Sequence, residues 1–295
     1  MLAVMVISAI LAIALSYATV AMNQRLDLAE QSKLKLREKA KLHGKASEIS
    51  YLIATQRITA AGVSRGINQS RLMKDDDSLW LYPVVGDEIR TDGYVYESSG
   101  IQFSIQNEAG LIPINSANQY WLQRWLSGHK FKAAEQVQLL AILADYLDGD
   151  DRQRPSGRED SQRSPGNYLA QSCKELQRIE EWEKVLKQYS DFTKQCGLSR
   201  NPALNLNSVP DILWRRLWPN SVEQVFAARN RGEWITRDNP ISQFEPTMIN
   251  VGEDFQRLIG GSVFIVRVWG TYSNVSWVIN PLVGETQSYA AKSEI

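Results

Sequence analysis

From Met1 to Met22 the chain carries no Asp, Glu, Lys or Arg, and a charged helical pattern follows without a break. As a helix this uncharged run spans roughly 33 Å, enough for the hydrocarbon core of a bilayer. From Asn23 the polarity changes but the period does not. Leu26, Leu28, Leu34, Leu36, Ala40, Leu42, Ala46, Ile49, Leu52 and Ile53 fall near helical spacing among Lys, Arg, Glu and Gln. No Pro occurs before Pro83 and no Gly before Gly44. The pattern predicts one long helix, transmembrane over 1–22 and amphipathic over 23–63, that presents a globular part to one side of a membrane. Three rivals share this opening: a buried core helix, which rarely runs this long without a charge, and two N-terminal signals. One is a cleaved signal peptide, for which Ser16-Tyr17-Ala18 is a loose cleavage site but a basic start is missing. The other is a plain signal anchor ahead of an unrelated domain. After the span, Arg25, Lys33, Lys35, Arg37, Lys39 and Lys41 outnumber Asp27, Glu30 and Glu38. Taken alone, that bias places the globular part in the cytoplasm.

Lys plus Arg equals Asp plus Glu at 33 each, so net charge leaves no general nucleic-acid footprint. Cys173 and Cys196 are too far apart for a redox Cys-x-x-Cys, and two His supply a zinc site poorly. In an oxidising compartment the cysteines would form one disulfide; in the cytosol they would be two thiols. Asp145, Asp148, Asp150, Asp151, Glu159 and Asp160 cluster with Gly149 and Gly157. Flexible carboxylate loops of this kind suit calcium, which takes six to eight oxygen ligands. The ligand set read from the sequence is Asp148, Asp150, Asp151, Glu159 and Asp160, although the spacing is not that of an EF-hand. The alternative is a solvated acidic loop balanced by Arg152, Arg154, Arg158 and Arg163. As for catalysis, His43 on the stalk and His129 in a helix-connecting turn are the only bases for a nucleophile. A paired-carboxylate hydrolase at Asp145 and Asp148 competes with the commonness of such acids at helix ends.

Tyr94-Val95-Tyr96 and Ile101-Gln102-Phe103-Ser104-Ile105 have strand composition, with Ser98-Ser99-Gly100 as a hairpin turn. The polar segment 64–77 reads as the exit from the long helix. Helical patterns begin near Ala117, with Tyr120, Leu122, Trp125 and Leu126, and continue through Val137 to Leu147. Asp148 to Asn167 is loop, and Lys174 to Phe192 is helical again. Strands return at Val263–Trp269 and Val275–Ile279 around a turn at 270–274. Helix, strands, helices, strands is the order of a sheet interrupted by an inserted helical domain. Within the insertion, Gly110-Leu-Ile-Pro-Ile-Asn-Ser-Ala and Pro202-Ala-Leu-Asn-Leu-Asn-Ser-Val echo each other, each before a Trp-rich helix. Asn115 or Ser116, and Asn207 or Ser208, are expected to cap those helices, and Pro210 stands where a missing N–H costs least.

These elements, taken in order, resemble the general secretion pathway protein K family of type II secretion minor pseudopilins. The resemblance rests on the apolar start, the Gly110-to-Ala117 element, Leu143-Ala-Asp-Tyr-Leu-Asp-Gly-Asp-Asp, and the loop with Pro155, Gly157 and Glu159. Tyr168, Ser172-Cys-Lys-Glu-Leu, Leu204-Asn-Leu-Asn-Ser and the C-terminal hairpin complete it. It implies an α+β, pilin-like fold: the long N-terminal helix on a small antiparallel sheet, a β region over 64–114, a helical insertion over 115–255 and closing strands over 256–295. It implies no enzyme activity and no catalytic residue. The implied role is at the tip of the periplasmic pseudopilus, where the protein initiates assembly and supports export of folded proteins across the outer membrane. Implied partners are I- and J-type minor pseudopilins, the inner-membrane assembly platform and the exported proteins, with a single-pass inner-membrane anchor. The exposed side of the long helix, the sheet edge and Trp80, Trp214, Trp218 and Trp234 are expected contact surfaces. Family precursors begin with a basic leader ending in Gly, absent here; a leader before Met1 would remove the conflict with the charge bias and leave a mature N-terminus open to methylation. No acid precedes Asp27, and the family likewise lacks the N-terminal Glu of major pilins. A second resemblance, of Leu204-Asn-Leu-Asn-Ser-Val with Ala227-Ala-Arg-Asn-Arg-Gly-Glu-Trp to a helix-hairpin-helix DNA-binding element, lacks Gly at Leu217-Trp218-Pro219-Asn220.

Overall fold

The computed structural model describes residues 1–67, 84–150, 152–158, 167–235, 255–258, 260–281 and 285–287. Helix α1 (Leu2–Thr55) opens the chain. Leu42, Ala46, Ile49 and Ile53 recur at helical spacing and are buried, whereas Leu26, Leu28, Leu34 and Leu36 are exposed. The helix stops earlier than its sequence pattern suggests. The amphipathic continuation expected over 23–63 ends at Thr55, and Gln56 turns extended with its N–H on the Leu52 carbonyl. The following residues pair in strand fashion instead, Ile58 with Val63 and Val63 with Ile89. Gly62 permits this reversal: its φ is +142°, and a Cβ there would sit 2.0 Å from the Ile89 carbonyl oxygen.

Strands β1 (Tyr96–Ser98) and β2 (Ile101–Asn107) form the expected hairpin. Next come β3 (Ile112–Pro113), α2 (Tyr120–Gly128), α3 (Ala133–Leu147), α4 (Glu180–Gln188), β4 (Cys196–Gly197) and β5 (Leu204–Asn205). Then follow α5 (Asp211–Leu217), α6 (Val222–Asn230) and β6 (Gln256–Arg257), before β7 (Phe264–Trp269), β8 (Asn274–Asn280) and β9 (Glu285–Gln287). The helix expected over 174–192 is broken into α4 and two flanking 3₁₀ turns, Cys173–Arg178 and Ser190–Lys194. Ile179 is extended, so a new helix has to start at Glu180; Glu180, Glu181 and Glu183 suit the positive end of its dipole.

The main sheet has the order β1-β2-β7-β8-β9 and is antiparallel throughout. Ile105 of β2 stands opposite Val266 of β7. The chain therefore leaves the sheet after β2, builds its helices, and returns beside the strand it left. Two separate cores result. Ile101, Phe103, Ile105, Phe264, Val266, Val268, Val275 and Ile279 pack on the buried stripe of α1. The second core gathers five Trp residues with aliphatic side chains of α2 to α6.

Candidate functional site

The N-terminal half of α1 exposes a long run of large apolar side chains, from Met1 and Leu2 to Val20 and Met22. Among the described residues it is one helix long and apolar enough to cross a membrane, with mean hydropathy 2.3 over its best window and none of that window buried. Beyond the span, Leu26, Leu28, Leu34 and Leu36 are each more than half exposed among the described residues. The expected aromatic contact surface is different. Trp214, Trp218 and Trp234 are buried, and Trp80 lies outside the described residues. Trp214 donates its indole N–H to Ser221 at 3.1 Å, and Trp218 packs edge-on against Trp121. The turn between α5 and α6 is closed by the Ser221 N–H on the Trp218 carbonyl, which leaves that donor unavailable to a phosphate.

The acidic loop is organised by arginine. Asp145 is fully buried; Arg154 donates from its guanidinium to Asp145 at 2.7 Å and also to Asp148, and its backbone N–H approaches both Asp145 oxygens. These hydrogen bonds, Asp145 first, raise the Arg154 pKa further above its ordinary value. A Cβ at Gly157 would lie 1.8 Å from Asp145 Oδ2, so any side chain there would push the buried carboxylate out of place. Of the five expected calcium ligands, Asp148 and Asp150 are described. Asp150 accepts from the Arg152 N–H, and Asp148 keeps one buried oxygen without a partner. Asp151, Glu159 and Asp160 lie outside the described residues. Among the described residues no group of three His, Cys, Asp or Glu is placed to hold a metal. The carboxylate pair proposed for hydrolysis shares a single guanidinium and lies beside a cleft of about 610 Å³ lined also by Arg200.

Asn115, Ser116, Asn207 and Ser208 do not cap α2 and α5, which begin at Tyr120 and Asp211 without side-chain caps. Asn115 instead pairs both edges of its amide with the backbone of Ala170, at 2.9 Å each, and reaches the Leu198 carbonyl at 3.0 Å. Asn207 repeats the arrangement with Ile235 and the Leu258 carbonyl. Asn107 clasps Gly261 in the same way. Each amide satisfies backbone groups of loops that lack a ladder partner. The parallel two-residue ladders extend the sequence echo: β3 pairs with β4, and β5 with β6. Cys173 and Cys196 are joined in a disulfide with Cα atoms 6.1 Å apart, tying the 3₁₀ turn before α4 to β4.

A polar seam joins the two cores. Arg229 of α6 is buried and donates to Asp92 at 3.0 Å and to the Leu206 and Val209 carbonyls at 2.9 Å. Burial lowers its pKa, and the Asp92 charge opposes that. Gln106 of β2 donates to the Ser208 carbonyl at 2.7 Å, and Gly110 lies so close to the same carbonyl that a Cβ would approach it to 2.0 Å. Sequence reasoning missed Asp92 and Arg229, which stand 137 residues apart. In sequence Arg229 belongs only to the segment that resembles a DNA-binding element; in the fold its side chain is buried.

No protein-family model matches the chain, and no curated protein does. Among solved structures it is similar to a chain of the crystal structure of the GspK-GspI-GspJ complex from the enterotoxigenic Escherichia coli Type 2 Secretion System, with 12% identity and a TM-score of 0.54 over 91% of this chain and 100% of that one. What the two share is the fold: a long N-terminal helix on a small antiparallel sheet with additional helices.

Proposed function

We propose that the chain is a K-type minor pseudopilin of type II secretion, anchored by residues 1–22 in the inner membrane with its globular part in the periplasm. It sits at the tip of the pseudopilus with I- and J-type partners, starts assembly, meets the assembly platform and exported proteins, and catalyses nothing. The observation that carries this reading is the likeness of fold over 91% of the chain, insertion included. Two features support it. The exposed apolar face of α1 needs a partner outside the chain, and the Cys173–Cys196 disulfide suits an oxidising compartment. Calcium in the loop after α3 belongs to the same proposal. Such an ion would have to displace Arg154 from Asp145 and Asp148, so thermal unfolding with calcium and with chelator tests it, a higher midpoint in calcium being the expected result.

Deleting the gene in its own organism tests the role. Exported proteins should accumulate in the periplasm and return to the medium on complementation by the full chain. Unchanged secretion would overturn the proposal.

A further inference from the structure

Strand β7 turns alternate side chains to opposite faces. Phe264, Val266 and Val268 are buried against α1, so Arg267 lies on the far face, with Ser104 of β2 and Ser276 of β8 directly across from it. Arg267 is half-buried, and among the described residues nothing accepts a hydrogen bond from its guanidinium. Burial lowers its pKa and no carboxylate acts against the shift, yet an arginine stays charged at any physiological pH. Arg229 and Arg154, by contrast, each have an aspartate. A charge drawn partly out of water without a partner is costly, and an incoming anion offsets that cost.

Arg267 lines a cleft of about 910 Å³ whose walls also carry Lys35 of α1 and Lys194 of the 3₁₀ turn after α4 and, among the described residues, no Asp or Glu. The nearby acid on α1, Glu38, is engaged elsewhere: it accepts the N–H groups of Thr271 and Tyr272 at 3.0 and 2.8 Å and so fixes the β7–β8 turn. Val95 and Tyr272 on the rim are exposed. Three cations from three elements line the cleft, Arg267 from the sheet face away from α1 and Lys35 from α1 itself, with apolar side chains at its edge.

We propose that this cleft binds an acidic peptide segment of a protein partner, its carboxylate on Arg267, its neighbours near Lys35 and Lys194, and its apolar parts on Val95 and Tyr272. The planar guanidinium fork matches a carboxylate in bidentate fashion. A single inorganic anion would fill a small part of the space and make no use of the rim. The inference needs only the cleft and stands apart from the secretion reading.

The test uses the full chain in non-ionic detergent and the fluorescence anisotropy of a labelled pentapeptide carrying two glutamates around a tyrosine. The glutamate peptide should bind and its glutamine counterpart should bind at least about tenfold more weakly. Arg267→Gln should weaken the glutamate peptide by about tenfold or more. A Lys35→Gln/Lys194→Gln variant, altered only at exposed positions, should weaken it about threefold and carries the test if Arg267→Gln does not fold. Equal binding of the two peptides, no loss in either variant, or displacement by an equal concentration of sulfate would overturn the proposal.

Discussion

The helix–sheet core and the inserted helical core solve the same problem with different means. In the first, aliphatic side chains of β2, β7 and β8 meet one stripe of α1, and the strand ladders satisfy the backbone. In the second, helices as short as Asp211–Leu217 multiply the number of helix ends, and each end leaves backbone groups without an intrahelical partner. That core accordingly relies on Trp121, Trp125, Trp182, Trp214 and Trp218 for bulk, on Asn115 and Asn207 for backbone satisfaction, and on a disulfide for closure. Regular elements distribute stability over many similar contacts. Irregular ones concentrate it in a few side chains, so the two halves should respond very differently to substitution.

The sharpest contrast should come from Trp125, whose indole donates to Gln195 and whose ring packs on Phe192. Trp125→Ala should cost about 3–5 kcal/mol in urea unfolding of the full chain in detergent. A cost below about 1 kcal/mol would break the comparison. Cys173→Ala/Cys196→Ala comes next, expected to cost about 2–4 kcal/mol and to lose near-ultraviolet dichroism from the insertion first. In the helix–sheet core, Ile105→Val should cost only about 0.5–1.5 kcal/mol and leave the insertion's spectrum unchanged.

The smallest effect should be a pH dependence confined to the insertion. His129 packs between Trp125 and Tyr189, with its Nε2 unpartnered. Burial, aided by Arg216 and opposed by Asp191, pushes its pKa down from 6.5 to about 4. The unfolded chain therefore takes up this proton first as pH falls. Stability should be lost between about 6.5 and about 4 and level off below. His129→Gln should flatten that part of the urea-midpoint profile; an unchanged slope would remove His129 from the account.

The same contrast explains what could be read from the chain. The β1–β2 hairpin, the closing strands and the α1 stripe are encoded locally, by alternation, turn residues and helical spacing. The end of α1 is not, because Gly62 and the Ile89 backbone decide it from outside the helix. Nor are the amide clasps: Asn115 reads as a cap from its neighbours, yet its partners stand 55 and 83 residues away. The acidic loop was legible as a cluster of charge. That Arg154 would turn in to meet Asp145 and Asp148 depends on a loop path that brings Gly157 against the Asp145 carboxylate. The cleft around Arg267 draws its cations from α1, the insertion and the sheet, which no sequence window brings together.

In the proposed role, the exposed face of α1 and the fold around it serve a three-protein tip assembly. The direct measurement is the mass, by light scattering with the detergent contribution separated, of the full chain mixed with the I- and J-type pseudopilins of its own organism. One species containing equal copies of the three, dissociated by Leu26→Glu/Leu34→Glu in α1, is the expected result. Three independent species, with the full chain folded, would contradict the account.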